Sequence, residues 1–190
     1  NDALLYASNG IWGAPATAVN SKGERWIYIP MWGPPSTQAK FQHSHGEAPD
    51  GSIMAFKVVQ VDNKPVLTPM WVSRNLNMSD SPVVANGLVY ALSTGENTLQ
   101  RHTDPRFQTR YQRPGEPPVP KVGTMTAEER LQVVPTHAVL YALDAETGQE
   151  LFSSKDIIDD WTHMSSVVVA DGQVYVTTRK SLLYAFGVKR

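Results

Sequence analysis

Apolar residues come in short runs along this chain, and the runs recur. Ser81-Pro-Val-Val-Ala-Asn-Gly-Leu-Val-Tyr-Ala-Leu92 and Ser166-Val-Val-Val-Ala-Asp-Gly-Gln-Val-Tyr-Val-Thr177 coincide without a gap at Ser, Val, Val, Ala, Gly, Val and Tyr. A looser copy runs Ala14-Pro-Ala-Thr-Ala-Val19, then Arg25-Trp-Ile-Tyr-Ile29. Each copy holds two β-rich runs around a turn. Asn86-Gly87 and Asp171-Gly172 predict two-residue hairpins, because the favoured turn needs positive φ. Ser21-Lys-Gly23 takes that place in a longer loop. The runs are apolar at successive positions, which suits strands covered on both faces. Their short length, β-branched residues and flanking turns decide against buried helix.

A second hairpin follows in two copies. Val139–Leu143 faces Glu150–Ser154 across Asp144-Ala-Glu-Thr-Gly148, and Ser52–Val59 faces Val66–Ser73 across Asp62-Asn-Lys64. The third copy supplies Leu182–Phe186 alone. Tandem four-stranded antiparallel meanders, each covered on both faces, fit a β-propeller. The pattern therefore predicts an all-β single domain: a partial β-propeller of about three four-stranded blades. Blade one spans about residues 10–74, blade two 79–154 with an insertion at 93–137, and an incomplete blade three 163–187. Eleven strands are predicted outright, with Ala3–Ala7 as a further one. Propellers close with about 4–8 blades. The expectation is thus the C-terminal part of a longer propeller, or a subunit that completes a ring with partners. In either case an apolar face at the N-terminal end should need cover.

In a meander, alternate connections lie at the same end. That parity puts two long insertions, Met31–Gly51 and Ser93–His137, on one rim with the inter-blade links Asn75–Asp80 and Lys155–His163. Enlarged loops on a rigid scaffold are the usual place for binding.

The run Leu140-Tyr-Ala-Leu-Asp-Ala-Glu-Thr-Gly-Gln-Glu-Leu-Phe152 resembles the quinoprotein-type, PQQ-like β-propeller repeat, whose signature is Y-A-L-D-A-x-T-G-x-x-L-W. Phe152 stands where the family usually has Trp, and Trp71 in Thr68-Pro-Met-Trp71 resembles the same residue in the first copy. The resemblance implies that this aromatic docks between blades, on the Ala and Gly of a neighbouring motif. It implies an exported, periplasmic or otherwise extracytoplasmic protein. It also implies one of two functional classes: quinoprotein dehydrogenases, holding pyrroloquinoline quinone and calcium on the axis, or scaffolds that bind proteins.

Composition narrows the classes. The 190 residues carry 17 Lys and Arg against 18 Asp and Glu, a net charge of -1, so no basic surplus points to nucleic acid or an anionic membrane. No apolar run reaches the roughly 18 residues of a spanning helix. With no Cys, the chain has no thiolate chemistry and lacks the vicinal Cys pair frequent in the quinoprotein enzymes. The opening Asn1-Asp2 suggests a processed or trimmed product.

Candidate chemistry is sparse. His43, His45 and Glu47, followed by Asp50, have metal-ligand residue types in one loop, against the plainer reading of a polar loop tip. Asp80 and His163 each precede an inner strand. They resemble the places of axial ligands in quinoproteins, and bonding to loop backbone is the bland alternative. The second insertion holds Arg106, Phe107, Arg110, Tyr111 and Arg113 beside a Pro-rich stretch, an interface-like composition. Trp32 opens the first insertion and joins them as a contact candidate. Thr126-Ala-Glu-Glu129 is a capping box for a short helix. No catalytic set is recognisable. The leading expectation is a non-catalytic scaffold that contacts a protein partner or the remaining blades through its insertions. One alternative is a fragment of a PQQ- and calcium-dependent oxidoreductase. Another is a carbohydrate-binding propeller using Trp12, Trp32 and Trp161.

Overall fold

The computed structural model describes residues 10–96, 136–162, 165 and 167–187. Its strands are β1 (Ala16–Val19), β2 (Arg25–Trp32), β3 (His43–Ser44), β4 (Gly51–Val61), β5 (Lys64–Val72), β6 (Val83–Ala85), β7 (Leu88–Ser93), β8 (Val139–Asp144), β9 (Glu150–Ser153), β10 (Val168–Ala170), β11 (Gln173–Thr177) and β12 (Leu183–Gly187). They build three sheets in the orders β1-β2-β4-β5-β3, β6-β7-β8-β9 and β10-β11-β12. Within the described residues the chain is all-β, apart from one 3-10 turn at Lys155–Ile157. The predicted strands are present as antiparallel meanders. Ala3–Ala7 and the helix expected from Thr126 lie outside the described residues.

The hairpin turns follow their local chemistry. Asn86 and Gly87 have φ of 51° and 74°, and Asp171 and Gly172 have 50° and 72°. Both central residues are left-handed in each case, the turn whose twist matches the flanking strands. The repeat extends to its irregularities. The β4–β5 ladder slips register between Ala55 and Phe56, and the β8–β9 ladder slips between Ala142 and Leu143. Each bulge leaves an aromatic opposite the alanine, Trp71 against Ala55 and Phe152 against Ala142.

The sheets are covered face to face. Trp26, Tyr28, Ile53, Ala55 and Trp71 of the first sheet meet Val89, Ala91, Tyr141 and Leu143 of the second in one buried cluster. The other face of the second sheet, with Leu92 and Leu140, meets Val174 and Val176 of the third. This is why β7 and β8 read as continuous apolar runs.

The first insertion does something the sequence pattern did not suggest. His43 and Ser44 pair in parallel with Trp71 and Val72, adding a fifth strand to the first sheet. Phe41 meets Phe56 edge-on at 5.4 Å, and Ala48 is buried with Met31, Met54 and Val72. The insertion thereby covers part of the outer face of the first sheet, the face expected to need another element, while Val19 and Leu67 on that face stay exposed.

At the feet of both insertions lies the link between the first two sheets. Asn75 Oδ1 accepts from the Asp50 N–H at 3.0 Å, and the Thr94 N–H donates to Asn77 O at 2.9 Å. The Thr162 N–H donates to Thr94 O at 3.0 Å, bringing the next link to the same place. The two insertions and two links thus share one end of the sheets at their bases, as the parity of the meanders requires.

At the opposite end, the hairpin turn of β1–β2 reaches the β8–β9 turn. Lys22 Nζ bonds Glu146 Oε2 at 2.9 Å, and Asn20 Nδ2 bonds Glu146 Oε1 at 3.1 Å. Glu24 accepts from Lys57 and from Asn20, and these donors hold its carboxyl below the usual range. A depressed carboxylate supplies stability above its unfolded value of about 4.3 and loses it as pH falls through the lower folded value. Glu24→Gln should therefore melt below the wild type above about pH 5, and the gap should close as pH falls below the unfolded value through the lower folded one. The gap should be small because the pair is only partly buried and solvent screens it. Thermal melts over that range test this; parallel curves would remove Glu24 from the acid transition.

Candidate functional site

A concavity is built around the turn between β8 and β9. Asp144 organises that turn: its Oδ1 accepts from the Glu146 N–H at 3.0 Å, the Thr147 N–H at 2.8 Å and the Thr147 hydroxyl at 2.8 Å. An Asp side chain that satisfies the next backbone donors is the reason Asp opens such turns. The turn ends on Gly148 at φ +76°. A Cβ there would lie 2.6 Å from the Trp71 ring, so the left-handed φ and the close approach both call for glycine.

The first sheet grips this turn from below. The Trp71 indole N–H and the Tyr28 hydroxyl each donate to Ala145 O at 3.1 Å. Burial pushes the Tyr28 phenol well above its ordinary pKa. The first insertion grips it from the side, where His45 Nε2 bonds Thr147 O at 2.8 Å. The link contributes Arg74, whose Nη1 donates to Glu150 Oε2 at 2.8 Å while its guanidinium lies 4.9 Å from the centre of the Tyr141 ring. Glu150 holds the Arg74 pKa above its ordinary value, and burial raises that of Tyr141. Between these elements lies a half-open cleft of about 400 Å³, lined by His45, Glu47, Arg74, Asn75, Gly148 and Glu150.

The cleft's polar groups are largely engaged with one another. Arg74 is spent on Glu150 and Tyr141, His45 Nε2 on Thr147, and Asn75 Nδ2 on Asp50 Oδ2 at 2.7 Å. The geometry fastens an insertion and two sheets together. It sets up no nucleophile beside a base.

The structure places the sequence candidates as follows. His43 lies in β3 and exposed, and His45 and Glu47 line the cleft. Among the described residues no three His, Asp or Glu side chains converge as a metal would require. Asp80 is buried; its Oδ1 accepts from the Ser81 N–H at 2.7 Å, and its own N–H bonds Leu92 O. His163 lies outside the described residues, as do Arg106, Phe107, Arg110, Tyr111 and Arg113. Calcium takes about six to eight oxygen ligands. Among the described residues no group of three or more His, Asp or Glu side chains includes Asp80.

Trp32 differs from expectation. It closes β2 opposite Gly51, is 6% exposed, and donates its indole N–H to Ser79 O at 2.8 Å. It belongs to the packed base of the insertion, with the 47%-exposed Trp12 stacked on it at 5.4 Å. Trp161 belongs to the other link and carries Arg179 over its ring at 4.9 Å.

Sequence reasoning passed over Arg74 and Glu150. The ion pair spans the link and a strand start, and nothing in their spacing announces it. No family model, curated protein or solved structure matches this chain.

Exposed apolar residues lie on all three sheets, and on the third they occupy positions that are buried in the second. Leu140 of the second sheet is 1% exposed, and its repeat equivalent Leu183 is 65% exposed. Val83 is half-buried while its equivalent Val168 is 54% exposed. Tyr175 pairs with Val168 on one side and Ala185 on the other, so these form one row across the outer face.

Proposed function

We propose that this chain is a non-catalytic protein-interaction scaffold, made of PQQ-like β-propeller blades from an exported protein. Its third sheet takes a further β-sheet on its outer face. One observation carries the reading. The face with Val168, Tyr175 and Leu183 repeats the face of the second sheet that is already buried against a neighbour. Burying apolar area at about 25 cal/mol per Å² makes such a face a standing site for association. At the other end of the stack the first insertion already covers part of the first sheet's outer face. Propeller closure is the architecture in which serial face-to-face meanders of this kind resolve. Among the described residues no helix is long and apolar enough to cross a membrane.

A dye and sedimentation experiment tests the reading. The wild-type chain should bind an anilinonaphthalene sulfonate dye and associate at tens of micromolar. The double variant Val168→Lys, Leu183→Lys should lose both properties with an unchanged melting temperature, because both positions are already exposed. A wild type that neither binds dye nor associates would remove the docking face.

A further inference from the structure

The cleft at the β8–β9 turn holds charge that its own contacts leave over. We propose that it is a receptor for an alkyl guanidinium, the group that an arginine side chain carries.

Three observations carry the proposal. The first is an unclaimed carboxylate. Glu47 lines the cleft, is exposed, and has no hydrogen-bond or ion-pair partner among the described residues. Glu150, on the same cleft, is already matched by Arg74 Nη1 at 2.8 Å. The second is the balance of charge. Among the lining residues Arg74 is the cation, set against both Glu47 and Glu150. The carboxylates beside the lining bring no further cation. Asp144 is satisfied by N–H groups and a hydroxyl of its own turn, and Asp50 accepts from the Asn75 amide. The cleft therefore has a negative potential, and its half-enclosing walls focus that field. The third is a spare acceptor. His45 Nε2 meets the Thr147 carbonyl at 2.8 Å, and a carbonyl only accepts, so Nε2 carries the hydrogen. In the neutral ring Nδ1 is then an acceptor, and no contact among the described residues uses it. A carboxylate and an imidazole nitrogen are thus left over with no cation to match.

The chemistry favours guanidinium over ammonium. The two oxygens of Glu47 match the planar fork of a guanidinium, which binds a carboxylate in two places and is less strongly hydrated than an ammonium. Leu143 and the bare backbone of Gly148 give the wall an apolar stretch for the alkyl stem. The volume of about 400 Å³ lies within the roughly 300–1,000 Å³ of small-ligand sites. The proposal rests on the scaffold reading only for the source of the guanidinium, an arginine of a protein partner. The cleft and the face of the third sheet are separate surfaces, so the dye experiment and the one below fail independently.

Butylguanidinium titrated into the isotope-labelled 190-residue chain is the probe. It should shift the amide resonances of Glu47, Asn75 and Gly148 saturably, with a Kd of about 1 mM, the scale for a ligand of so few heavy atoms. Butylammonium should bind more weakly, and the neutral isostere butylurea should not bind. Glu47→Gln should weaken butylguanidinium about fivefold, the upper end for a solvent-screened ion pair. Its melting temperature should stay unchanged, because Glu47 makes no contact that the fold uses. Asp62→Asn, which removes an exposed carboxylate from the β4–β5 turn, should leave binding as it is. A capped Ala-Ala-Arg-Ala-Ala peptide separates the sources. Binding at least as tight as that of butylguanidinium supports a protein side chain, and exclusion of the peptide would overturn that source in favour of a free guanidine. No saturable shift at about ten times the expected Kd, equal binding by Glu47→Gln, or a preference for propionate over butylguanidinium would overturn the proposal itself.

Discussion

Replacing Trp71 with alanine should lower the unfolding free energy by about 3–5 kcal/mol, the range for removing a large buried aromatic. Trp71 is the largest side chain with no exposed surface. Its ring lies 5.9 Å from Tyr28 and against Gly148, and its indole N–H serves Ala145 O. The alanine variant leaves a cavity between two sheets that are each anchored elsewhere, so little collapse can fill it. Trp71→Phe should fall between, losing a hydrogen bond worth about 1 kcal/mol and some packing. Urea unfolding followed by the remaining tryptophans would give the values. A loss under about 1 kcal/mol would mean that the inter-sheet contact is carried by its neighbours.

The resemblance implied this contact, and the turn that receives the indole was legible for a local reason. Tyr141-Ala-Leu-Asp-Ala-Glu-Thr-Gly148 holds its turn geometry within itself, through Asp144 and Gly148. The hairpins at Asn86-Gly87 and Asp171-Gly172 are legible on the same ground. What depends on distant partners was not. For β2 the expected run was Arg25–Ile29, and Pro30, which cannot donate to a ladder, gives no sign that the strand continues. In the fold it runs on to Trp32 beside Gly51, and Gly10 bridges its last residue. Trp32 therefore read as an exposed loop residue and is a buried one. β3 is two polar residues whose pairing with Trp71 and Val72 is set by the path of a long insertion. No periodicity can arise in so short a strand. His45 drew attention as an imidazole near a carboxylate, and the structure uses it as a tie to Thr147 O.

The consequence for function is a shift of emphasis within the scaffold reading. The first insertion is largely consumed in covering the first sheet and holding the second. The third sheet keeps an apolar outer face, with Val168 54% and Leu183 65% exposed.

Gly148→Ala should be the most costly single-methyl addition at this contact, and its cost should depend on Trp71. Alanine at φ +76° pays about 1–2 kcal/mol for the left-handed backbone. Its Cβ would also sit 2.6 Å from the indole, closer than contact allows, adding about 1–3 kcal/mol of overpacking. The first part belongs to the backbone and persists in any background. The second exists only while the ring is there. In the Trp71→Ala background the glycine substitution should therefore cost only the backbone part, a coupling of about 1–3 kcal/mol in the double-mutant cycle. The same methyl would press on His45 Nε2 at 3.0 Å, so Gly148→Ala should also loosen the first insertion. Faster hydrogen exchange at the amides of Gln42 and His45, which bond Met70 O and Val72 O, would report it. Additive substitutions with unchanged exchange would show that the turn and the indole stabilise the fold independently. That result would separate the turn's conformation from the docking it now serves.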